Sequence, residues 1–406
     1  MIYLDYQSTT PIDPIVIEEM MTIFKEEYGN PHSKSHVFGI KASKIVEKAR
    51  WKIAKTINAH EDEIIFTSGA TESNNLALKG LIEFHNGEKN HIITTQIEHK
   101  CILEICKYLE IKNIEITYIK PDRYGIIDPN DIKNTIKINT LCVSIIAVNN
   151  EIGVIQNLTQ IGQICRENRV FFHTDAAQAF GKIDLDVEKM NIDLMSISSH
   201  KIYGPKGIGA LYVRRKPRVR LSPIIHGGGQ ERSMRGGTLP VPIIHGFGIA
   251  SEIALVKMPD ENKRIRDLYN FFLDEILQIP ETYLNGHREN RYFGNININF
   301  AAIEGESLML AMKEIAVSSG SACTSATLET SHVLRAIDIR EDLSHSSIRF
   351  GIGRFTTKND IEIAIKSIKF AVEKLRKMSP LWDMIQNGID INKIKWCEHC
   401  RDISKF

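Results

Sequence analysis

The chain has 406 residues, of which 43% are hydrophobic and 25% are charged, and its formal net charge is +1. These values are typical of a soluble globular protein and indicate no nucleic-acid or other polyelectrolyte partner. Residues 1–5 lack the basic and apolar regions of a signal peptide, and no uninterrupted apolar run is long enough to cross a bilayer. We therefore expect a cytoplasmic protein without a membrane partner. The seven cysteines follow no disulfide framework, which favours free thiols.

The first third of the chain alternates helical and strand patterns. A helical pattern runs over 15–28, and apolar residues four apart predict a second helix over about 39–57. A strand at 64–66 leads through small residues to a helix from about Glu72. Such a junction favours an anion site, because backbone N–H groups and the positive end of the helix dipole face outward. Ala70 and Thr71 are best placed to touch a phosphate, although helix capping also explains the threonine and serines.

Polar side chains follow three further predicted strands, at 91–95, 141–148 and 170–173. His99 is a candidate acid–base group or a buried core histidine. Asp175 follows an apolar strand, so its carboxylate needs a cationic partner such as a protonated pyridine nitrogen, unless it caps the next helix. Because these strands are too apolar for burial on one face, they predict a mainly parallel sheet with helices on both faces.

Lys201 lies where a short buried strand from about Ile192 meets a turn that closes at Gly204, Pro205 and Gly207. A lysine at such a strand end can form a Schiff base with a carbonyl cofactor, whereas a lone loop lysine is more commonly a solvated surface residue. Ligands of open α/β sheets bind outside the carboxyl ends of the strands. Six candidate ligand groups follow strands in this way: Thr71, His99, Asn150, Asp175, Gln178 and Lys201.

The middle of the chain contains a strand at 209–213 and a basic run at 214–220, for which a solvated face is favoured over an acidic partner. A glycine-rich loop over 226–238 follows, and its Arg235 and Thr238 are available to a ligand or a neighbouring subunit. A helix to about residue 257, a hinge at 258–259 and a charged helix over 260–279 complete this part.

Cys323 stands among Ser, Gly, Ala and Thr, a composition typical of an exposed loop tip and not of a core. We assign Cys101, Cys106, Cys142 and Cys165 to the core instead. Arg349 lies in an apolar strand, and a buried arginine needs an anion such as a substrate carboxylate. A last helix is predicted over about 360–377. The C-x-x-C pair near the end of the chain, with a histidine beside it, supplies only half a metal site, and without a second ligand pair a structural zinc is disfavoured.

The motifs taken together are similar to those of the pyridoxal-phosphate cysteine desulfurases of iron–sulfur cluster assembly. The resemblance covers nearly the whole chain and rests on Phe66-Thr-Ser-Gly-Ala-Thr-Glu-Ser, Glu98-His-Lys, Val148-Asn-Asn-Glu-Ile-Gly, Ser199-His-Lys-Ile-Tyr-Gly-Pro-Lys-Gly and Ser318-Ser-Gly-Ser-Ala-Cys-Thr-Ser. It implies the fold type I α/β architecture of pyridoxal-phosphate transferases, with a mainly parallel seven-stranded sheet flanked by helices. It also implies a large cofactor domain over 11–258 and a smaller α+β domain from 1–10 and 259–406.

The resemblance also implies the role of each site residue. Lys201 would bind pyridoxal phosphate covalently, with Asp175 on its ring nitrogen, Gln178 on its phenolic oxygen and His99 stacked on the ring. Arg349 would hold the substrate carboxylate, and Asn150 would orient ring and substrate. The phosphate and its surroundings would be bound by Ala70, Thr71, Ser198, Ser199, His200 and, from the other subunit of a homodimer, Thr238.

In the implied reaction, L-cysteine becomes L-alanine and Cys323 takes the sulfur as a persulfide. The recipients would be an iron–sulfur scaffold protein and tRNA-thiolation or similar acceptors, and Cys323 could transiently ligate a 2Fe–2S cluster shared with the scaffold. The alternatives are an aminotransferase or a selenocysteine lyase on the same frame, and a non-enzymatic scaffold. An aminotransferase has no use for a thiol on a loop, and the Lys201–Asp175 pair argues against a scaffold.

Overall fold

A computed structural model describes residues 1–319 and 330–388. As far as Val213, short helices alternate with short strands. In chain order the elements are β1 (Ile2–Tyr3), α1 (Pro14–Glu26), α2 (Val37–Thr56), β2 (Ile64–Thr67), α3 (Ala70–His85), β3 (His91–Thr95), α4 (Lys100–Ile111), β4 (Glu115–Ile119), α5 (Pro129–Thr135), β5 (Thr140–Ile146), α6 (Leu158–Glu167), β6 (Phe171–Asp175), β7 (Leu194–Ser198) and β8 (Gly209–Val213).

Strands β2 to β8 form one seven-stranded sheet in the order β2-β8-β7-β6-β5-β3-β4. The strands from β7 to β4 are parallel, whereas β8 runs antiparallel to both β7 and β2. A parallel neighbour needs a crossover of a dozen or more residues. Only residues 199–208 join β7 to β8, and this short turn carries Lys201. The predicted mainly parallel seven-stranded sheet is therefore confirmed, with β8 as its exception.

Apolar side chains cover both faces of this sheet. One core packs α1, α2, α6 and the first half of a long later helix against one face, and includes Ile53, Phe172 and Phe247. A separate core on the other face holds α3 and α4, with Leu78 and Ile105 among its members. Strands covered on both sides read as nearly continuous apolar runs, which is the pattern that predicted this arrangement.

The second half of the described chain adds a smaller α+β unit beside the sheet. Its elements are α7 (Val241–Ile276), β9 (Thr282–Asn285), β10 (Asn295–Phe300), α8 (Gly305–Ala311), β11 (Ile315–Ala316), β12 (Ser318–Ser319), α9 (His332–Ala336), α10 (Glu341–His345), β13 (Ser347–Gly351), α11 (Lys358–Arg376) and α12 (Pro380–Gln386). Strands β12-β13-β10-β9 form an antiparallel sheet that packs with α11 around a core of its own.

The amino-terminal residues lie with this later part of the chain. Strand β1 pairs in parallel with β11, and Leu4 is buried in the core of the smaller α+β unit. From there the chain crosses to the large sheet, where Thr10 donates from its backbone N–H to the carbonyl of His200. Assignment of residues 1–10 to the small domain, and a boundary at 258/259, remain predictions.

Helix α7 contradicts the predicted hinge at 258–259, because it continues without a break through Pro259. A proline inside a helix removes one backbone hydrogen bond and disfavours continuation. Burial compensates for this cost on both sides of Pro259. Side chains from Val241 to Ala254 pack in the core that also holds α1, α2 and α6, and side chains from Ile265 to Ile276 pack in the core of the smaller unit. The helix is long and apolar enough to span a membrane, but half of its most apolar window is buried inside the protein, as in a core helix.

Candidate active site

A cavity of about 720 Å³ opens at the carboxyl edge of the seven-stranded sheet. Its volume is in the range of small-molecule and cofactor sites. Among the residues that line it are ten of the predicted site residues: Ala70, Thr71, His99, Asn150, Asp175, Gln178, Ser198, His200, Lys201 and Arg349. Ser199 and Thr238 do not line it, and Cys323 lies outside the described residues.

The two predicted residues outside the cavity lining have different surroundings. Ser199 is fully buried, and Gly204 lies so close that a Cβ there would be 2.1 Å from the Ser199 hydroxyl. Thr238 is exposed in the glycine-rich loop before α7. Its contribution to the site of a neighbouring subunit remains a prediction.

Lys201 is held at the cavity by the amino-terminal segment. It ends a single 3₁₀ turn after β7, and its Nζ donates to the carbonyl oxygens of Gln7 at 2.6 Å and Ser8 at 2.7 Å. Two backbone acceptors orient the amine without adding a negative charge. Residues 7 and 8 were not predicted as site residues. They lie before the first predicted helix and reach the sheet only through tertiary contacts.

Asp175 is the last residue of β6 and is 3% exposed. Its Oδ2 accepts from the side-chain amide of Asn74 at 2.7 Å, and its Oδ1 accepts from the backbone N–H of Ala177 at 2.9 Å. A buried carboxylate with these two donors still has lone pairs for a cationic partner. Asn74 was missed by the sequence analysis, although a polar residue at a buried helix position is a usable signal.

His99 caps α4, because its Nδ1 accepts from the backbone N–H of Cys101 at 3.2 Å. Burial lowers the pKa of His99, and the positive charge of Lys201 lowers it further. The carboxylate of Asp175 opposes this change. A ring nitrogen that accepts from a backbone N–H carries no proton, so the other nitrogen, Nε2, carries it in the neutral ring. His99 is therefore set up as a neutral imidazole at pH 7.

Cys101 packs, partly buried, against the core that holds α3 and α4, in agreement with its core assignment, but it also lines the cavity, which was not predicted. Its Sγ lies 3.0 Å from Nδ1 of His99 and 3.1 Å from the side-chain nitrogen of Asn74. Burial, together with the nearby carboxylate of Asp175, raises the pKa of this thiol to about 12, so it is protonated. Cys106, Cys142 and Cys165 are buried in agreement with the prediction.

The opposite end of the cavity suits an anion. Helix α3 begins at Ala70, two residues earlier than predicted, and its cap residue Gly69 supplies no side-chain hydrogen bond. Gly209 of β8 allows the close approach of this turn, because a Cβ on Gly209 would lie 2.6 Å from the Cα of Gly69. Burial lowers the pKa of His200 to about 4, and the charges of Lys201 and Lys206 contribute. The helix dipole and these cations together favour a phosphate.

Arg349 lies in β13, and its side chain is 4% exposed. One terminal nitrogen, Nη1, donates to the carbonyl of Asn150 at 3.0 Å. The other, Nη2, donates to Oδ1 of Asp5 at 3.0 Å and to the hydroxyl of Ser8 at 2.7 Å. The predicted need for an anion is therefore met within the described chain by Asp5, a residue that the sequence analysis missed.

Two buried glutamates hold the chain that follows residue 329. Burial raises the pKa of Glu151 to about 7, and Glu151 accepts from the hydroxyl of Ser331 at 2.5 Å. Burial likewise raises the pKa of Glu98 to about 8, and the backbone carbonyl of Glu98 lies 2.9 Å from Nε2 of His332. Both Ser318 and His332 line the cavity, so the described chain meets it on each side of residues 320–329.

The side chains present fit pyridoxal phosphate. An amine and a buried carboxylate share the cavity, and an uncapped helix start with nearby cations lies at the anion end. Within the described residues, three buried atoms of the lining have no hydrogen-bond partner: Oε1 of Gln7, Oδ1 of Asn150 and Nε of Arg349. Buried polar groups are normally paired, so these atoms indicate a polar ligand.

Comparison with known proteins gives consistent matches. The family model for aminotransferase class V matches residues 2–363. The cysteine desulfurase IscS of Rickettsia typhi is 60% identical over 399 residues, covering 98% of this chain and 97% of the relative. The corresponding protein of Rickettsia bellii is 59% identical over the same length and shares.

Among solved structures, a NifS-like protein has a TM-score of 0.86 at 35% identity, covering 92% of this chain and 99% of its own. A structure of SspA in complex with cysteine has a TM-score of 0.79 at 38% identity, covering 88% of this chain and 100% of its own.

Proposed function

The chain belongs to the class-V aminotransferase family, and we propose how its residues carry out the reaction. It is a pyridoxal-phosphate-dependent enzyme, a cysteine desulfurase, which converts L-cysteine to L-alanine. The observation that carries the residue assignments is that Lys201 and Asp175, from separate strand ends, line one cavity together with His99 and Arg349.

Pyridoxal phosphate, when bound, supplies an electron sink beside the α-carbon of the substrate. We assign its covalent attachment to Lys201 and the pairing of its ring nitrogen to Asp175, whose orientation Asn74 fixes. Gln178 is assigned to the phenolic oxygen. Ala70 and Thr71, at the uncapped start of α3, bind the phosphate together with Ser198 and His200.

Proton movements are assigned to Lys201 and His99. Once its amine is displaced by the substrate, Lys201 lies where it can take the α-proton, since the Gln7 and Ser8 carbonyls keep it at the cavity. His99 presents a neutral ring whose protonated nitrogen is Nε2, and it therefore donates a hydrogen bond to the reacting groups. Arg349 holds the substrate carboxylate, and Asn150, whose carbonyl accepts from Arg349, positions the amino acid beside it.

Cys323 is the sulfur acceptor in this proposal. Ser318, on the cavity wall, is five positions before it in the chain, so an extended tether of this length reaches roughly 17 Å, at about 3.3–3.6 Å per residue. That span permits the thiol to enter the cavity. The Cys323 thiolate attacks the substrate sulfur and the carbon–sulfur bond breaks. The carbon keeps the electron pair, takes a proton and leaves as alanine, and Cys323 retains a persulfide.

The relatives' role implies that this sulfur is delivered to other proteins. We propose an iron–sulfur scaffold protein and other sulfur acceptors, including those of tRNA thiolation, as recipients, with Cys323 as a transient ligand of a shared 2Fe–2S cluster. We also propose that the reaction takes place in the cytoplasm. These assignments rest on family membership.

A homodimer is proposed from the surface of α1 and α2. Large apolar side chains are exposed along both helices, among them Ile15, Met21, Phe24, Phe38 and Trp51. A concentration of exposed apolar residues favours a protein interface. The exposed Thr238 precedes α7, against which both helices pack, and a partner chain on this side would receive it. Sedimentation of Phe24→Asp should show a shift toward monomer, and an unchanged mass would contradict this interface.

The decisive experiment is mass spectrometry of the intact protein and of its proteolytic peptides after addition of L-cysteine. One added sulfur on a peptide containing Cys323 is expected, and Cys323→Ser should keep the cofactor and bind cysteine without gaining sulfur. Cys101→Ser is the matched control, because its thiol lines the cavity but is protonated, so this variant should retain persulfide formation. Sulfur carried on Cys101 in the wild-type protein would refute the assignment.

A further inference from the structure

We propose that Asp5 is an internal competitor of the substrate carboxylate: it occupies Arg349 in the free enzyme and must give way when the amino acid binds. This inference rests on the proposed role of Arg349. Asp5 acts only through that arginine, so it is a positioning residue that sets substrate affinity, and it takes no part in the bond-making steps.

The Arg349 guanidinium has five N–H groups. Both Nη2 hydrogens are used, since Nη2 donates to the carboxylate of Asp5 and the hydroxyl of Ser8. Of the other three, one Nη1 hydrogen goes to the carbonyl of Asn150, and Nε is buried without a partner among the described residues. Nε of Arg349 therefore still has a hydrogen to donate. The atom that decides how a carboxylate can bind is Nη2, whose two hydrogens are already used.

A carboxylate can bind a guanidinium side-on, through Nε and Nη2, or end-on, through Nη1 and Nη2. Both bidentate arrangements need Nη2. A substrate carboxylate can therefore make two parallel hydrogen bonds with Arg349 only after Asp5 or Ser8 has moved. The unpaired Nε favours the side-on arrangement, because it already presents one of the two donors on that edge.

Asp5 is the partner that matters most, because it is charged like the incoming carboxylate. Two carboxylates on one guanidinium nitrogen repel each other. The Ser8 hydroxyl, in contrast, can turn and donate its own hydrogen to the incoming carboxylate. Asp5 also serves the free protein: Arg349 is 4% exposed, and a buried guanidinium without an anion is strongly unfavourable.

Asp5 can move away from Arg349 without losing every partner. Its side chain is 17% exposed, and the Oδ1 atom that pairs with Arg349 also accepts from the hydroxyl of Ser318 at 2.8 Å. Ser318 and Arg349 donate to the same oxygen at the same time, so Ser318 remains a donor to Asp5 when the arginine turns to the substrate. Loss of Ser318 should therefore make displacement of Asp5 more costly, whereas loss of the Asp5 charge should free the arginine for the substrate.

The test measures binding of L-alanine, the reaction product, to the cofactor-loaded full-length enzyme by calorimetry and by the change in visible absorption. Ethylamine, which lacks the carboxylate, is titrated in parallel. Asp5→Asn keeps the shape and an acceptor oxygen but removes the charge. We expect the dissociation constant of this variant for L-alanine to fall about tenfold relative to wild type, the equivalent of ~1.4 kcal/mol. Its dissociation constant for ethylamine, which binds more weakly than L-alanine, should stay unchanged.

Ser318→Ala is the second variant and should act in the opposite direction, weakening L-alanine binding severalfold without affecting ethylamine. Asp13→Asn is the matched control, since Asp13 forms a similarly buried pair with Arg354 at 2.9 Å away from the cavity lining. It should lower the unfolding temperature while leaving both dissociation constants unchanged. Ser8→Ala should change L-alanine affinity less than Asp5→Asn, because it removes no charge.

The two levels of the proposal fail differently. Equal binding of L-alanine and ethylamine by the wild-type enzyme would refute Arg349 as the carboxylate site. Discrimination between these ligands in the wild type, with unchanged or weaker L-alanine binding in Asp5→Asn, would overturn the competitor role alone. If Asp5→Asn does not fold, Ser318→Ala decides, and unchanged or tighter L-alanine binding by that variant overturns the inference.

Discussion

The Nζ of Lys182 lies 2.9 Å from Oε1 of Gln178, and Nε2 of the same glutamine donates to the carbonyl of Gln7 at 2.8 Å. A protonated lysine can only donate, so in that state this contact fixes which end of the Gln178 amide is oxygen. Nε2 gives one hydrogen to Gln7 and keeps a second one to donate, and Gln178 lines the cavity. That orientation is the one an anionic phenolic oxygen of the cofactor requires.

Lys182→Met should weaken cofactor binding severalfold, because a hydrogen bond worth roughly 0.5–1.5 kcal/mol no longer orients Gln178. The fold should not suffer: Lys182 is buried, and burial, with the charges of Lys201 and Arg349, lowers its pKa to about 7. An apolar side chain of similar length avoids that desolvation cost. Equilibrium dialysis against pyridoxal phosphate, paired with thermal unfolding of the apoprotein, measures both effects.

Lys189→Met is the control for this variant, since Lys189 lies seven positions further along and its side chain is 82% exposed. It should change neither quantity. In a Gln178→Ala background, Lys182→Met should have no further effect on cofactor affinity. Equal losses in both backgrounds would show that Lys182 does not act through Gln178.

Lys201→Ala should abolish the visible absorption of the covalently attached cofactor, because the attaching amine is gone. Lys206→Ala is a stringent comparison, since Lys206 also lines the cavity and carries the same charge. That variant should bind the phosphate less tightly but keep the absorption band. Absorption spectra at matched cofactor concentration distinguish the two, and a normal band in Lys201→Ala would contradict the assignment.

Glu98→Gln should make stability less sensitive to pH. Burial raises the pKa of Glu98 to about 8, whereas an unfolded glutamate has its ordinary pKa near 4.5. Between these values the folded state holds a proton that the unfolded state releases, so Glu98 makes the wild-type protein less stable as pH rises, by at most roughly 1.4 kcal/mol per pH unit.

Glutamine resembles the protonated acid and has no proton to lose. The variant should therefore gain stability relative to wild type as pH rises from 4.5 to 8, measured by denaturant unfolding across that range. Glu26→Gln, at an exposed position at the end of α1, should leave the pH profile of the wild type unchanged. Parallel profiles for wild type and Glu98→Gln would show that Glu98 is ionised in the folded protein.

Pro259→Ala should stabilise the protein by roughly 1–3 kcal/mol. It restores a backbone donor inside the continuous helix α7, and the loss of proline's restraint on the unfolded chain offsets only part of the gain. Pro242→Ala is the matched control, because Pro242 lies in the first turn, where no helical donor is lost. Urea unfolding measures both, and a less stable Pro259→Ala would indicate that the helix needs its proline.

Local patterns were sufficient for the sheet and for most of the cavity. The apolar strands and the polar residues at their ends predicted that His99, Asp175 and Lys201 would meet, because parallel strands share one carboxyl edge. The start of α3 was placed two residues late, at Glu72, since small residues preceding it look like loop in a sequence.

The missed residues depend on contacts between distant parts of the chain. Asp5 and Gln7 reach the cavity only because β1 pairs with β11, more than 300 positions later, and no local period encodes that pairing. The hinge at Pro259 was wrong for a related reason: two cores bury the halves of α7, and this tertiary packing outweighs the local preference of proline.

The amino-terminal segment supplies the carbonyls that hold Lys201, yet its own partners, Ile315 and Gly351, are made late in translation. A ribosome that has synthesised only the large sheet has produced Lys201 and Asp175 without the strands that bring residues 7 and 8 over them. Completion of the catalytic pocket therefore belongs to the end of biosynthesis, because Arg349 and the strands that pair with residues 2–5 are all made after the large sheet.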